Sequence, residues 1–296
     1  MVMRLLRGPA KAGHCFFKAG HHFLKAGHCV LVLALLAATT LGAQQSPIVL
    51  GPFDLILDTY VRDGYVYYRA LRMERRRLDE YVRQIALTDV NKRTRNEQMA
   101  FWLNAYNALV LRTAVDHYPA PRHSTEYPQR SIRQTPGAFE RLTHRVAGRT
   151  LTLDQIEQTI LPKFEDPRLY FALGRGAVGS GRLRSEAFAA DTLEKQLAEV
   201  ASECVTRAVC MQVDAGTNKL MASAIFSWHE KEFVAAYADK AAPLYASRSP
   251  IERAILAFVE PKLLQTERDF LEKNTFQLAY KPFDWSLNDL TGRGDR

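Results

Sequence analysis

The chain has 296 residues, 47% of them hydrophobic, so it is long enough to bury one large core or two small ones. Its formal net charge is +8, but residues 1–43 hold five basic side chains and no acidic one. The rest of the chain holds 35 of the 40 basic residues and all 32 acidic ones. This near balance of charge excludes a clear positive surface for binding nucleic acid.

Residues 1–43 have the pattern of a secretory signal peptide. A basic segment is followed by an apolar run from Val30 and by small residues at Gly42 and Ala43. The apolar run is shorter than the roughly 20 residues that span a bilayer. We therefore expect cleavage near residue 44, no transmembrane segment afterwards, and a periplasmic or secreted protein.

The leader also contains three near-copies of Lys-Ala-Gly-His, which begin at residues 11, 18 and 25. Two interpretations are open. The repeats are either a metal-binding tract or a duplicated leader segment that is removed with the signal peptide, and the second is the simpler account. The candidate ligands of such a tract are His14, Cys15, His21, His22, His28 and Cys29.

The first predicted elements after the leader are short. The pattern predicts a helix over 54–61, a strand or extended segment over 64–71, and an amphipathic helix over 74–86. A longer helix should start with the help of Asn96 and run to about His117, where Pro119 stops it. Residues 120–139 contain three further prolines and predict a long loop, of the kind that often carries function.

The helix over 96–117 is too apolar for a surface helix, so we expect it at the centre of the fold. Its side-chain amides, Asn104 and Asn107, then need partners, because an unsatisfied buried amide costs about 1–3 kcal/mol. Two interpretations are open: the amides hold the backbone of a nearby loop, or they line a pocket and contact a ligand.

The second half of the chain mixes helices with short strands. We predict a hairpin over 146–152 turning at Gly148-Arg149, a helix capped by Thr152 or Asp154, and a helix over 192–204. A second hairpin over 211–222, helices over 224–237 and 251–264, and a strand over 276–280 follow. Helices and strands do not alternate regularly. The sequence therefore predicts an α+β fold, a helix-rich single domain over 44–296 around a small antiparallel sheet.

Residues 174–181 form a loop with four glycines. The segment Gly174-Arg-Gly-Ala-Val-Gly fits the pattern G-x-G-x-x-G, but neither a helix opening nor an acidic residue at the end of a next strand follows. We therefore do not predict a dinucleotide site and expect no cofactor. A flexible turn is the simpler interpretation. The alternative is a loop that accepts an anion through its backbone N–H groups, with Arg175, Arg182 and Arg184 close by.

Two cysteines, Cys204 and Cys210, remain after the leader. A close pair in an oxidising compartment predicts a disulfide, and a catalytic thiol is the alternative. No metal-ligand spacing and no G-x-S-x-G nucleophile pattern occurs after residue 43, so we predict no metal site. The spacing of the histidines at 117, 123, 144 and 229 does not identify any of them as a catalytic base.

Several segments together resemble one family, the domain-of-unknown-function 547 family. The first is Ala-Phe-Trp-Leu-Asn-Ala-Tyr-Asn-Ala-Leu at 100–109, and the others lie at 151–157, 166–173, 183–188, 223–228 and 283–288. They occur in the family's order and cover most of 55–290. The resemblance implies no established reaction.

Two departures from the family pattern bear on chemistry. Family members typically have Ile-Glu-His where this chain has Ile156-Glu157-Gln158, and often a Cys-Pro loop where it has Gly179-Ser180-Gly181-Arg182. A Cys–His pair for nucleophilic chemistry is therefore missing here. Ser180 could replace the cysteine only with an activating base.

These departures favour an exported, non-catalytic domain that binds a small, possibly anionic, ligand or a protein partner. The alternative is an acyl-transfer or hydrolytic enzyme of papain-like or transglutaminase-like type, using Ser180 or an unidentified nucleophile. A purely structural envelope protein is a third option. A shallow polar pocket between the central helix and the glycine loop is the predicted site, lined by Asn104, Asn107, Glu157, Ser180, Arg182 and Arg184.

Overall fold

Three helices and a short hairpin open the part of the chain that the computed structural model describes, residues 51–291. They are α1 (Gly51–Tyr60), the antiparallel pair β1 (Val61–Arg62) and β2 (Tyr65–Val66), α2 (Tyr68–Met73) and α3 (Arg76–Leu87). The segment predicted as extended over 64–71 is a strand only at β2. From Tyr68 the chain is helical, and Tyr68 and Leu71 bury the same helical face. The predicted signal peptide and its repeats lie outside the described residues.

Helix α4 (Arg95–Asp116) is the central helix. Every residue from Met99 to Leu111 is buried, so the helix is surrounded by protein on all sides, as its apolar sequence predicts. Its N-terminal cap is Thr94, which accepts a hydrogen bond from Glu97 N, while the Glu97 side chain accepts one from Thr94 N. The expected role of Asn96 as the cap is therefore wrong.

The long loop predicted over 120–139 is irregular apart from a 3₁₀ turn at Ile132–Gln134. The buried side chain of Gln134 holds this loop in place. Its oxygen accepts hydrogen bonds from the backbone of His123 and Ser124, and its nitrogen donates to the carbonyls of Ser124, Tyr127 and Pro128. This single side chain thus pairs backbone N–H and C=O groups that have no helix or sheet hydrogen bonds in an irregular segment.

Next along the chain is the hairpin of β3 (Thr143–Val146) and β4 (Arg149–Thr152), which turns at Ala147-Gly148, one residue before the predicted position. Thr152 then caps α5 (Leu153–Gln155) through a capping box with Gln155. The helix widens into a π-helical turn, Ile156–Ile160, and ends as a 3₁₀ turn, Leu161–Phe164.

The remaining elements are helices and the three strands of one sheet. They are α6 (Leu193–Thr206), β5 (Met211–Asp214), β6 (Lys219–Ser223), α7 (Ala224–Trp228), α8 (Glu230–Tyr237), α9 (Pro250–Val259), α10 (Gln265–Glu272) and β7 (Gln277–Lys281). The helix predicted over 251–264 ends at Val259, and α10 was not predicted. The α+β class is confirmed, but β7 pairs with β6 in parallel, so this sheet is mixed.

The predicted disulfide between Cys204 and Cys210 is present, with Cα atoms 5.2 Å apart. It joins the end of α6 to the start of β5. None of the helices within residues 51–291 is long and apolar enough to cross a membrane.

The chain after β7, residues 282–291, is here named the closing segment. It runs back along the glycine loop, where Val178 N donates to Ser286 O and Gly179 N to Asp284 O, both at 2.8 Å. It then reaches the first hairpin, where Val66 N donates to Asn288 O and Leu290 N to Val66 O. This segment therefore joins the glycine loop to the beginning of the described chain.

Candidate functional site

The two amides of the central helix hold backbone, as the first of the two interpretations states. Asn107 accepts a hydrogen bond from Gly174 N at 2.8 Å and donates to Ala172 O at 3.0 Å, so it fixes the start of the glycine loop. Asn104 exchanges the same two bonds with Phe188, at 2.9 and 2.8 Å, outside the glycine loop. Both amides are buried, and the oxygen and the nitrogen of each bind backbone groups.

The other predicted loop residues do not gather around these amides. Arg182 pairs with Asp63 and Glu203, and Arg184 pairs with Glu186 and Glu199. Ser180 is buried, and its Oγ has no hydrogen-bond partner within the described chain. Among residues 51–291, no histidine or carboxylate therefore forms a hydrogen bond with this hydroxyl.

Glu157 is the predicted residue around which a polar cluster forms. It lies in the π-helical turn, where Leu161 N donates to Ile156 O, five residues back, and Pro162 has no N–H to continue an α-helical ladder. Glu157 faces inward and is buried, whereas Gln158 is exposed. Helices of this wider kind are rare and often occur at functional sites.

Three side chains bind the Glu157 carboxylate. Arg175 donates from Nη2 to Oε1 at 2.5 Å and from Nε to Oε2 at 3.3 Å. His229 Nε2 lies 2.9 Å from Oε1, and Tyr106 OH donates to Oε2 at 2.9 Å. Arg175 is only 2% exposed, and its third nitrogen, Nη1, donates to the carbonyls of Tyr170 and Leu173. We name Tyr106, Glu157, Arg175 and His229 the carboxylate cluster.

The charges within the carboxylate cluster follow from these contacts. Burial acts to raise the pKa of Glu157, but the Arg175 guanidinium and the His229 hydrogen bond outweigh it and lower the pKa to about 2. Burial opposes the charge of Arg175 too, yet Glu157 raises the pKa of Arg175 above its usual value. Glu157 and Arg175 are thus a charged pair without net charge.

His229 is the neutral member of the carboxylate cluster. Burial lowers the pKa of His229 more strongly than Glu157 raises it. An ionised carboxylate can only accept hydrogen bonds, so the Nε2 atom of the neutral ring carries the hydrogen. The ring lies between α7 and α8 and stacks on Tyr170, with centroids 3.4 Å apart and planes 8° from parallel.

A cavity of about 160 Å³ opens beside the carboxylate cluster. Two tryptophans form one side of it: Trp228, which is 40% exposed, and Trp285, with centroids 6.1 Å apart and planes 21° from parallel. The complete lining is Arg133, Phe139, Asp154, Glu157, Gln158, Arg175, Trp228 and Trp285.

Arg133 is the cation of this cavity with unused donors. Its guanidinium lies 4.4 Å from the centroid of Trp285 and 4.5 Å from that of Phe139, and it forms an ion pair with Glu140 through Nη1. Nε is buried without a partner, and no residue within 51–291 accepts a hydrogen bond from Nη2. Arg133 therefore keeps hydrogen-bonding capacity beside the cavity.

The sequence predicts Glu157 at a site but not most of this lining. Asp154 is expected only as a helix cap, and Arg133 and Trp228 have no expected role. A signal was available: three of the segments that carry the family resemblance, 151–157, 223–228 and 283–288, each contribute a residue to the cavity. Gln158, where family members typically have histidine, also lies on it.

Chemically, the cavity offers groups that can contact a ligand. The carboxylate cluster presents no unpaired nucleophile, while the cavity presents indole faces, a guanidinium and a half-buried carboxylate. Within the described part of the chain, no group of three or more histidine, cysteine, aspartate or glutamate side chains could hold a metal ion.

Comparison with known proteins gives one match. No curated protein and no solved structure matches the chain. Residues 90–205, which include the central helix, Glu157 and the glycine loop, match the family described as "Protein of unknown function, DUF547". This part of the chain is therefore a DUF547 family domain.

Proposed function

We propose that this protein binds a small organic ligand through the ligand's carboxylate, in the cavity between Trp228, Trp285 and Arg133, and performs no reaction on it. The single observation that carries the proposal is the guanidinium of Arg133, which borders the cavity and whose Nη2 donates to no described residue. A guanidinium binds carboxylates through charge-assisted hydrogen bonds, and aromatic rings hold it in a fixed orientation.

The carboxylate cluster supports the non-catalytic part of the proposal. Glu157 accepts hydrogen bonds from three side chains, so its ionised form is strongly stabilised and it is a poor proton acceptor. His229 spends its Nε2 hydrogen on the same carboxylate. Two members of the cluster, Glu157 and Arg175, line the cavity as a neutralised pair.

The competing enzyme hypothesis finds no support at Ser180. A serine nucleophile needs a base within hydrogen-bond distance, and the Ser180 hydroxyl has no hydrogen-bond partner among residues 51–291. Ser180 also does not line the cavity. The signal-peptide pattern of residues 1–43 adds the proposal that binding takes place in the periplasm or outside the cell.

The test uses two probes that differ only in the carboxylate, 4-methylpentanoate and 4-methylpentanol, titrated into the full chain by calorimetry. We expect saturable binding of the acid, at least about tenfold tighter than that of the alcohol, because a charge-assisted hydrogen bond contributes about 1.5–3 kcal/mol. The variant Arg133→Gln should remove this preference. As a matched control, Arg149→Gln removes an exposed arginine outside the cavity lining and should not.

Equal affinities for the acid and the alcohol would overturn the proposal. So would an affinity for the acid that Arg133→Gln leaves unchanged. Because Trp228 and Trp285 line the cavity, their fluorescence should change along the same titration curve. Agreement of the two curves would show that the heat measured by calorimetry comes from binding in this cavity.

A further inference from the structure

We propose that the ligand of this cavity is a free α-amino acid with an apolar side chain. This inference rests on the proposed carboxylate binding at Arg133 and adds a second recognised group, the ligand's ammonium. The observation behind it is that Asp154 and Arg133 line the same cavity without forming an ion pair with each other.

Asp154 is an acceptor without a donor. Its backbone N–H donates to Phe139 O, which fixes the residue in the first turn of α5. Its carboxylate accepts no hydrogen bond from the described chain and is only partly exposed. A carboxylate in this position can accept hydrogen bonds from an ammonium group that enters the cavity.

The neighbouring charges do not neutralise Asp154. Arg133 directs Nη1 to Glu140, and Arg175 is occupied by Glu157. Burial raises the pKa of Asp154, and the nearby carboxylates Glu140 and Glu157 raise it further, against the opposing effect of the two arginines. A bound cation would relieve this unfavourable environment, so the free site favours a ligand that brings one.

The cavity favours a ligand with both charges over a ligand with only one of them. A simple anion that reaches Arg133 also meets the Asp154 carboxylate, and a simple cation that reaches Asp154 also meets Arg133. An α-amino acid carries both charges on substituents of one carbon atom. It satisfies Arg133 with its carboxylate and Asp154 with its ammonium.

The walls of the cavity fit the remaining part of such a ligand. Phe139, Trp228 and Trp285 provide aromatic surface, and the cavity volume of about 160 Å³ restricts the ligand to a small molecule. Aromatic walls with a few convergent polar groups are the usual composition of a small-molecule site. An aliphatic side chain would bury its surface against the indoles.

The test compares three molecules with one carbon skeleton: L-leucine, 4-methylpentanoate, which lacks the ammonium, and L-leucinamide, which lacks the carboxylate. Each is titrated into the full chain by calorimetry. We expect L-leucine to bind at least about tenfold tighter than either analogue, since each loses one charge-assisted contact. Because the comparison uses the unaltered protein, it does not depend on the folding of a variant.

Variants test which residue binds each charged group of the ligand. Asp154→Asn should weaken L-leucine at least about tenfold and leave 4-methylpentanoate unchanged or tighter, whereas Arg133→Gln should weaken both. Asp58→Asn, which removes an exposed carboxylate of α1 outside the cavity lining, is the matched control and should change neither.

The outcomes separate this inference from the proposed function. Equal affinities for L-leucine and 4-methylpentanoate, both reduced by Arg133→Gln, would overturn the amino-acid inference and leave carboxylate binding intact. Equal affinities for L-leucine and L-leucinamide would overturn both, because the carboxylate would then not be recognised. Absence of binding by all three would also overturn both.

Discussion

Arg175 and Arg133 line the same cavity. Arg175 uses all of its side-chain hydrogen-bond donors within the protein, whereas Arg133 does not. Arg175 is 2% exposed and all of its side-chain nitrogens donate, to Glu157 and to two backbone carbonyls. The side chain of Arg133 is 20% exposed, and Nη1 alone donates to a partner in the described chain. A buried charge must be neutralised inside the protein, whereas a charge with unused donors can bind something from outside. We therefore expect Arg175 to contribute to stability, while Arg133 is the residue of the proposed binding.

The largest effect that this comparison predicts is the loss of stability in Arg175→Met. The substitution leaves the Glu157 carboxylate buried without its countercharge and frees the carbonyls of Tyr170 and Leu173. Breaking a buried ion pair on one side typically costs about 3–5 kcal/mol. Urea unfolding followed by far-UV circular dichroism should show a decrease of that size in the free energy of unfolding.

The double variant Glu157→Gln/Arg175→Met is the control for this loss. It removes both charges, so it should be less destabilised than Arg175→Met alone. If the single variant were no less stable than the double variant, the assignment of Arg175 as the countercharge of Glu157 would be wrong.

A smaller, pH-dependent effect is expected from His229. Because burial lowers the pKa of His229 in the folded protein, the unfolded chain takes up a proton more readily as the pH falls below about 6.5. The contribution of neutral His229 to folding stability is fully present above about pH 6.5. It is lost as the pH falls towards the pKa of His229 in the folded protein. The loss is at most about 1.4 kcal/mol per pH unit for one proton.

Substitution of His229 by glutamine should therefore flatten the pH dependence of stability below pH 6.5. Burial also lowers the pKa of His144, so the comparison is best made in a His144→Gln background. Free energies of unfolding measured from pH 8 to pH 5 provide the slope. An unchanged slope in His229→Gln would show that this ring is not held neutral.

The smallest effect on stability is expected from Arg133→Met. The guanidinium is partly exposed, its partner Glu140 is 47% exposed, and the methionine can still cover Trp285 and Phe139. Cation–π and surface ion-pair contributions of this kind are about 1 kcal/mol or less. A loss in urea unfolding as large as that of Arg175→Met would remove the distinction between the two arginines.

The sequence was most informative where a pattern repeats over many residues. The central helix, the disulfide and the α+β class were predicted because apolar spacing and cysteine separation are local signals. The cap of the central helix is also encoded locally: Thr94 and Glu97 have the spacing of a capping box, a more specific cap signal than Asn96 alone. The parallel pairing of β7 was not readable, since a five-residue strand does not specify the direction of its neighbour.

The candidate site was much less predictable because its residues come from distant parts of the chain. Arg133, Asp154, Trp228 and Trp285 meet only after the long loop, α5, α7 and the closing segment have packed together. From the sequence, Arg175 is predicted only as one of the arginines beside a loop that could accept an anion, and arginine is rarely buried unless it is paired. Its partner Glu157 lies 18 residues away in the sequence, and His229, which binds the same carboxylate, lies 54 residues away, beyond any local pattern.

The closing segment has a consequence for the modularity of the domain. The family match ends at residue 205, yet Val178 and Gly179 within it hydrogen bond to Ser286 and Asp284, far outside it. An excised fragment of residues 90–205 would expose these backbone groups, and it would also lose Trp228 and Trp285 from the cavity. The segment that matches the family is therefore shorter than the unit that folds. A gene fusion that transplanted only residues 90–205 would carry the carboxylate of Glu157 without His229, and both tryptophans of the cavity would be missing.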